Sequence, residues 1–210
     1  MSHQDTVRAW QRAWVRSGLP LAWTQGFNPR PRLRVPLPRN VGVAGERELA
    51  VVELGKRVEE GVLGERLGRE LPGGMNIEEV QVVEGKVDVN CQEATYRVEL
   101  GDGVDHEAVK ERLGAFLAAG SRPVRRECRG RHPERVVDLR AAVQEAALEG
   151  GQVRFRIEMG GEATARVDEL LEALGLEAEG AVREVVREEA RYGGVLAEEK
   201  ETRQDGPQGH

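Results

Sequence analysis

The spacing of the apolar residues limits the fold of this chain more than any other feature. Along the first half it alternates between the period of a helix and the period of a strand. Pro36 lies within one of the predicted strands and places that strand at the edge of a sheet, because proline has no N–H group to donate. The predicted order is helix 5–17, strand 33–37, strand 48–54, helix 56–71 and strand 75–83.

The second half repeats this alternation without obvious similarity of sequence. With one more strand in front, the order of the first half becomes βαββαβ, the ferredoxin-like arrangement. We therefore expect an α+β protein of two ferredoxin-like units, 1–87 and 95–192, followed by a disordered tail, 193–210. The first unit lacks its N-terminal strand in this chain, and we expect an upstream segment or a partner chain to supply it. The predicted elements of the second half are strand 95–100, helix 105–119, strand 153–159, helix 164–174 and strand 182–192.

The composition excludes several classes of protein. No apolar run approaches the roughly 18 residues that span a bilayer, and the N-terminus lacks the apolar core of a signal peptide. We therefore expect a cytoplasmic protein without a membrane partner. Cys91 and Cys128 are the two cysteines, too few for a disulfide framework, a CxxC metal site or an iron–sulfur cluster. The sequence predicts no metal and no cofactor in this chain.

The charge is distributed unevenly along a chain whose net charge is −6. Residues 1–45 contain seven arginines and one acid, Asp5, and the stretch 23–40 contains four arginines, four prolines and no acid. Such a basic region indicates an anionic partner, although a solvated arginine-rich face gives the same pattern.

The arginines form two clusters in the sequence. The first combines a stripe on helix 5–17 with the arginines of strand 33–37 and of the turn before it. The planar guanidinium suits phosphate and carboxylate groups, so binding to RNA phosphates is one alternative for this cluster. The aromatic residues fall on apolar faces, which argues against direct reading of bases. The second cluster contains Arg122, Arg125, Arg126, Arg129, Arg131, Arg135 and Arg140.

The turn GFNPRP, residues 26–31, precedes the arginine-bearing strand. Gly26 permits a sharp turn, and we expect Phe27 to pack it against Trp14. Each proline holds the residue before it extended, so the turn is either a rigid architectural element or a device that aims its arginines at a ligand. The predicted binding residues are His3, Asp5, Arg8, Arg12, Arg16, Gly26, Phe27, Asn28, Pro29, Arg30, Pro31, Arg32, Arg34 and Arg140.

Catalytic motifs are absent from the sequence. It contains no GxxxxGK[ST], no GxGxxG at a strand–helix junction and no HExxH. His3 beside Asp5 is either an acid–base pair or part of an ordinary helix cap that begins at Ser2. An enzyme with a small site at His3, Asp5, Asn28 and Arg30 is therefore an alternative, and its catalytic residues are unknown.

Residues 2–38 resemble the opening of the radical SAM-linked proteins. The pattern of that family runs from His-x-Asp through a helix that ends in GLP to GFNPRP and a strand, and GFNPRP is its most specific part. ELAVVEL at 48–54, ATYRVEL at 94–100 and VVDLR at 136–140 are similar to weaker signatures, so the resemblance spans residues 2–190.

The resemblance implies a small protein encoded beside a radical SAM protein or fused to its C-terminus. Together with the absence of catalytic motifs and the basic clusters, it leads us to expect a non-catalytic module that binds or presents an anionic substrate, with RNA as one candidate, for that partner. The partner, rather than this chain, would carry the iron–sulfur cluster and S-adenosylmethionine. A protein-only scaffold is the third alternative. The sequence leaves open the substrate and the oligomeric state.

Overall fold

The computed structural model describes residues 3–126, 135–160 and 164–194, and for His3 and Gln4 it describes the backbone alone. The predicted cap at Ser2, the predicted disorder over 195–210 and the position of Cys128 lie outside these residues. The described residues form two compact units. Unit 1 takes its residues from Met1–Val41 and Leu49–Val89, and unit 2 from Gly42–Glu48 and Asn90–His210.

The elements of the first half are short apart from one helix. Predicted helix 5–17 is confirmed, and it ends before Gly18, whose φ of 64° suits glycine. Predicted helix 56–71 is confirmed over a shorter range. In chain order the elements are α1 (His3–Arg16), β1 (Leu33–Arg34), β2 (Val43–Gly45), β3 (Val51–Val52) and α2 (Glu60–Gly68).

Unit 1 has one apolar cluster, to which both of its helices contribute. Ala13 and Trp14 of α1 are buried in it together with Leu63 and Leu67 of α2. These positions follow the helical spacing read from the sequence, so each helix is held by one apolar face. Leu33 of β1 packs against the same cluster.

The strands of unit 1 are much shorter than predicted. Strand 33–37 is reduced to β1 and strand 48–54 to β3, which pair antiparallel with Leu33 opposite Val52. Pro31 and Pro36 flank β1 and cannot donate to a ladder, which limits its length.

The predicted strand over 75–83 is wrong. Ile77, Val80 and Val82 do pack against the apolar cluster, as their spacing indicates. However, the segment has no strand partner, and the N–H of Val82 donates instead to Oε1 of Glu60 at 2.9 Å. The apolar pattern therefore predicts which side chains turn inward but not the pairing of the backbone. Because this strand is missing, the ferredoxin-like arrangement of unit 1 stays a prediction.

Unit 2 is built on a five-stranded mixed sheet, and the α+β class predicted from the sequence is confirmed. The further elements are β4 (Val89–Leu100), α3 (His106–Ala118), β5 (Pro123–Arg126), β6 (Arg135–Asp138), α4 (Leu139–Ala142), β7 (Val143–Glu149), β8 (Gln152–Glu158), α5 (Val167–Ala173) and β9 (Val182–Gly194). The strand order in the large sheet is β2-β9-β4-β8-β7, and β5 pairs antiparallel with β6 in a separate two-stranded sheet.

Strand β4 begins six residues before the predicted strand 95–100, within the segment 84–94 that the sequence indicates as a boundary. Its buried residues fall out of phase between Cys91 and Ala94, so the alternation of a single strand is broken there. Because of this phase change, the alternation of apolar and polar residues does not predict the first part of the strand.

Strand β7 has no counterpart among the predictions. Its sequence, VQEAALE, is rich in alanine and glutamate, which strands disfavour. A Gly-Gly turn joins it to β8, with φ of 56° at Gly150 and 78° at Gly151, so that Glu149 faces Gln152. Two residues with positive φ are typical of a tight hairpin, and this turn is the signal that could have revealed β7.

The predicted helices α3 and α5 and strands β8 and β9 agree with the sequence except at their ends, whereas β2, β5, β6 and α4 were not predicted. Asp105 caps α3 by accepting from the N–H groups of Glu107 and Ala108. Strand β9 continues to Gly194, so 193 and 194 do not belong to a tail. Strand β2 lies in the first predicted domain but pairs parallel with β9, and its segment therefore belongs to unit 2.

Candidate functional site

The GFNPRP turn forms the tip of a hairpin, residues 22–32, which we call the GFNPRP hairpin. The N–H of Thr24 donates to the carbonyl of Arg30 at 2.9 Å, and the N–H of Arg30 donates to Oγ1 of Thr24 at 3.0 Å. Farther from the tip, the N–H of Arg32 donates to the carbonyl of Ala22 at 2.9 Å. Gly26 has a φ of 128°, a value that other residues rarely adopt. Hydrogen bonds between its arms therefore hold the hairpin in shape.

The base of the hairpin is hydrogen-bonded to the backbone of Glu53, the residue that follows β3. The N–H of Glu53 donates to the carbonyl of Arg32 at 3.0 Å, and the N–H of Ala22 donates to the carbonyl of Glu53 at 2.9 Å. Pro31 is buried, whereas every residue from Trp23 to Arg30 is exposed. The hairpin is thus anchored at its base and presents its tip to solvent.

The prediction that Phe27 packs against Trp14 is wrong. Phe27 is fully exposed, at 107% of its reference area, while Trp14 is 4% exposed and buried in the apolar cluster of unit 1. Trp23, which is not among the predicted binding residues, is 42% exposed on an arm of the same hairpin. The expectation that the aromatic residues lie on apolar faces therefore fails at these two positions. The anchor of the hairpin is Pro31 rather than Phe27.

The three arginines of this region differ in their partners. Arg32 NH1 lies 3.0 Å from Oε2 of Glu53, and Arg34 NH2 donates to the carbonyl of Val87 at 2.8 Å. By contrast, the guanidinium of Arg30 makes no hydrogen bond or ion pair with another described residue. Arg30 therefore keeps its donors available to a ligand, whereas Arg32 and Arg34 also hold the fold.

The arginine stripe on α1 shows a similar gradation. Arg8 and Arg12 are exposed, and Arg8 lies only loosely beside Asp5, with NH1 3.9 Å from Oδ1. Arg12 makes no hydrogen bond or ion pair with the described side chains. Arg16 donates through Nε to Oε2 of Glu70 at 2.8 Å, so it joins α1 to the end of α2. The free charge is therefore concentrated at the first two positions of the stripe.

The small catalytic site considered from the sequence is described only in part. Arg30 does not pair with Asp5, and Asn28 lies on the exposed hairpin tip while Asp5 lies on the first turn of α1. The side chain of His3 is outside the described atoms. Nothing in the described geometry links these residues as an acid–base or nucleophile pair.

Arg140 has a structural position. Its Nε donates to the carbonyl of Leu117 at 3.1 Å and its NH1 to the carbonyl of Val143 at 2.8 Å. Arg126 is engaged too, since it binds both carboxylate oxygens of Glu169. Arg129 and Arg131 lie outside the described residues. Among the described members of the second cluster, Arg126 and Arg140 stabilise unit 2 rather than present free charge.

The polar face of the sheet in unit 2 is covered with paired charges. Arg97 donates to Glu188 at 2.8 Å and to Glu46 at 3.1 Å, and this hydrogen bonding to Glu188 raises the pKa of Arg97. Tyr96 and Phe155 are buried on the other face. Tyr192 of β9 is half-buried, so none of the described aromatic residues of this sheet is fully exposed, as those on which bases stack in sheet-type RNA platforms are.

No group of three or more metal-ligating side chains was found among the described residues. Burial raises the pKa of the Cys91 thiol despite a hydrogen bond to the carbonyl of Glu93, so its thiolate is disfavoured at neutral pH. None of the described helices combines the length and the apolar character that crossing a membrane requires.

Comparison with curated proteins gave no match. A family model, by contrast, matches residues 1–171, a range that includes α1, the GFNPRP hairpin and most of unit 2. This match covers most of the chain, and the protein therefore belongs to the DUF2344 family, described as uncharacterized proteins conserved in bacteria.

Proposed function

We propose that unit 1 binds an anionic partner through the GFNPRP hairpin and the exposed arginines of α1. The observation that carries this proposal is Arg30, whose guanidinium stands on a hydrogen-bonded hairpin without a carboxylate partner among the described residues. A fixed backbone leaves little entropy to lose on binding.

The contrast with neighbouring arginines supports this assignment. No acid occurs between 23 and 40, so the hairpin cannot neutralise its own charge. Arg8 and Arg12 add exposed cations on α1. Guanidinium groups with free donors suit phosphate oxygens, which they contact in bidentate fashion. RNA is accordingly our first candidate for the anionic partner.

We further propose that the chain acts in the cytoplasm as a non-catalytic accessory module of a radical SAM enzyme, encoded nearby or fused to it. This part rests on the resemblance of residues 2–38. The partner would then supply the iron–sulfur cluster and S-adenosylmethionine. Unit 2 would be a ferredoxin-like framework: the order β9-β4-β8-β7, with α3 between β4 and β7 and α5 between β8 and β9, supports this finer assignment.

A protein-only scaffold is the second candidate function. Exposed tryptophan, phenylalanine and arginine side chains are also typical of the centres of protein–protein interfaces. Trp23, Phe27 and Arg30 would then contact a protein rather than RNA. Binding of labelled RNA to the purified chain separates the two candidates.

The test compares two double variants that remove the same charge from unit 1. Arg12→Gln with Arg30→Gln removes the two guanidinium groups of the proposed surface that have no partner among the described residues. Arg66→Gln with Arg69→Gln removes two exposed arginines of the α2 region, of which Arg69 is paired with Glu65 and Arg66 has no described partner. We expect the first variant to weaken binding of a fluorescently labelled RNA by about tenfold or more. The slope of log K against log salt should fall by about 0.7 for each phosphate of a single strand that a substituted arginine no longer neutralises.

The control variant should bind RNA nearly as well as the natural chain. Equal weakening in both variants would show that net charge, rather than this surface, determines binding. Absence of RNA binding by the natural chain at low salt would favour the scaffold.

A further inference from the structure

The GFNPRP hairpin presents two aromatic rings in addition to its free arginine. Phe27 at the tip is fully exposed, and Trp23 on an arm is 42% exposed. Both belong to a chain whose other described phenylalanines, Phe116 and Phe155, are buried. Exposing Phe27 has a cost, since an apolar ring of this size gains free energy when it is removed from water.

The backbone does not force this exposure. The arms of the hairpin are joined by hydrogen bonds between Thr24 and Arg30, and its base is fastened by the buried Pro31. Neither anchor uses the ring of Phe27. The ring is therefore available to a flat apolar surface that arrives from outside.

The charge near Phe27 limits which kind of ligand can provide that flat apolar surface. Arg30 lies three residues after Phe27, carries an unpaired guanidinium, and belongs to a stretch, 23–40, that contains no acid. A ligand at the tip must therefore offer both a flat apolar face and a negative charge. Unpaired nucleotides offer both, because each base has a π-face and each residue of the strand a phosphate.

A base-paired helix fits less well. Its bases are stacked on one another, so their faces are hidden from a protein ring, and only its phosphates are open to Arg30. The alternative surface on this chain, the sheet of unit 2, has its arginines paired, its aromatic residues Tyr96 and Phe155 buried, and Tyr192 half-buried. Stacking would therefore be confined to the hairpin.

We propose that the GFNPRP hairpin binds unpaired nucleotides of a single-stranded nucleic acid, with Phe27 and Trp23 stacking on bases and Arg30 contacting the backbone phosphate. This inference rests on the proposed function and deepens it, because it replaces a general polyanion by a single strand. The 2′-hydroxyl group distinguishes RNA from DNA, so the test includes both strands.

The test uses the full chain and labelled oligonucleotides of about 12 nucleotides, which is within the length of single-strand sites. The probes are an unstructured RNA, the DNA of the same sequence, and the RNA duplex. We expect the natural chain to bind a single strand more tightly than the duplex, with quenching of tryptophan fluorescence as a base stacks on Trp23. Tighter binding of RNA than of DNA would identify RNA as the source of the strand, and the reverse would identify DNA.

Variants at the fully exposed Phe27 separate stacking from simple apolar contact without disturbing the core. Phe27→Tyr keeps the aromatic face, and Phe27→Leu keeps an apolar side chain but removes the ring. We expect Phe27→Tyr to bind like the natural chain. Phe27→Leu and Phe27→Ala should both weaken single-strand binding by about 5- to 140-fold, the range for removal of one base–aromatic stack. Their binding to the duplex should be unchanged.

Two results would overturn the inference, and they differ in what they imply for the proposed function. If Phe27→Leu binds as well as Phe27→Tyr, or if duplex and single strand bind equally while the arginine double variant still weakens binding, the chain binds a polyanion without stacking. If none of the three probes binds at low salt, both this inference and the RNA form of the proposed function are wrong.

Discussion

The arginines of the sheet in unit 2 and Arg30 of the GFNPRP hairpin in unit 1 differ in whether a carboxylate binds them. On the sheet, Arg97 and Arg187 are bound to carboxylates, and Arg187 is almost completely buried. On the hairpin, Arg30 has no partner among the described residues. The difference shows that the number of arginines does not define a binding surface. The carboxylates within reach of each guanidinium decide whether it is available.

This difference is partly visible in the sequence. Strands β4 and β9 contain both arginine and glutamate, as in TYRVEL and VREVVREEARY, so pairing within the sheet is expected. The stretch 23–40 has no acid at all, and its paired arginines must reach elsewhere, as Arg32 does to Glu53. Arg30 lies nearest the tip and reaches no carboxylate among the described residues.

The largest expected effect on stability concerns Arg187. Its guanidinium is bound by both oxygens of Glu48, and its side chain is 1% exposed. Burial lowers the pKa of Arg187, but hydrogen bonds and the charge of Glu48 outweigh this and raise it, so the group stays charged. Glu48→Gln would leave a buried charge without its counter-ion and should lower the free energy of unfolding by about 3 kcal/mol.

Urea denaturation followed by far-UV circular dichroism measures this destabilisation, because unit 2 contains no tryptophan among its residues. Glu46→Gln is the matched control, since Arg97 keeps Glu188 after that change. If Glu48→Gln lowers the free energy of unfolding by less than about 1 kcal/mol, the buried Arg187–Glu48 pair stabilises the protein no more than an exposed ion pair does.

A smaller effect should follow from Glu169 as the pH falls. Burial raises the pKa of Glu169, but hydrogen bonds from Arg126 and from the N–H of Arg166, with the charge of Arg126, lower it overall from 4.5. The stability that the ionised carboxylate contributes is therefore complete above about pH 4.5 and is lost as the pH falls through the lower pKa of the folded state. Glu169→Gln should be less stable than the natural chain at neutral pH, and the gap should close in acid.

The test is the difference in unfolding free energy between the natural chain and Glu169→Gln, measured at about pH 7 and again at about pH 3. Asp138, whose pKa is lowered by hydrogen bonds from Ser121 and from the N–H of Arg122, is present in both proteins and cancels in the comparison. A gap that is independent of pH would contradict the proposed role of the Arg126–Glu169 pair.

The smallest effects should appear in unit 1. Arg32→Gln breaks an exposed pair with Glu53 and should cost about 0.5 kcal/mol. Arg30→Gln breaks no described side-chain interaction and should leave stability unchanged within about 0.5 kcal/mol. Tryptophan fluorescence during urea denaturation reports this unit, because Trp10, Trp14 and Trp23 all lie in it. A larger decrease for Arg30→Gln than for Arg32→Gln would make the hairpin arginine structural.

The helices are predicted well from the sequence and the strands of unit 1 poorly, for identifiable reasons. Helices α1 and α3 have a regular apolar face together with local signals, Gly18 after one and Asp105 before the other. Strands depend on a distant partner. The segment 75–83 has the apolar pattern of a strand but finds no such partner, whereas β7 has a partner despite a poor pattern.

The candidate site was predicted only in part. The basic, acid-free stretch and its turn are visible in the sequence, and they locate the hairpin and Arg30. Sequence alone does not decide whether Phe27 is an anchor or an exposed ring, because either position suits an aromatic residue in a turn. Nor does it separate Arg140, which binds two backbone carbonyls, from the arginines that stay free.

The parallel pairing of β2 with β9 has a consequence for the order in which the protein is made. Glu48 and Arg187 are 139 residues apart, so the segment with β2 leaves the ribosome long before its partner strand exists. At about 5–20 residues per second, this interval is about 7–30 s. During this time the nascent chain holds an edge strand that cannot be completed and a carboxylate whose counter-ion has not been synthesised. The final step of folding therefore waits for almost the whole described chain to be translated.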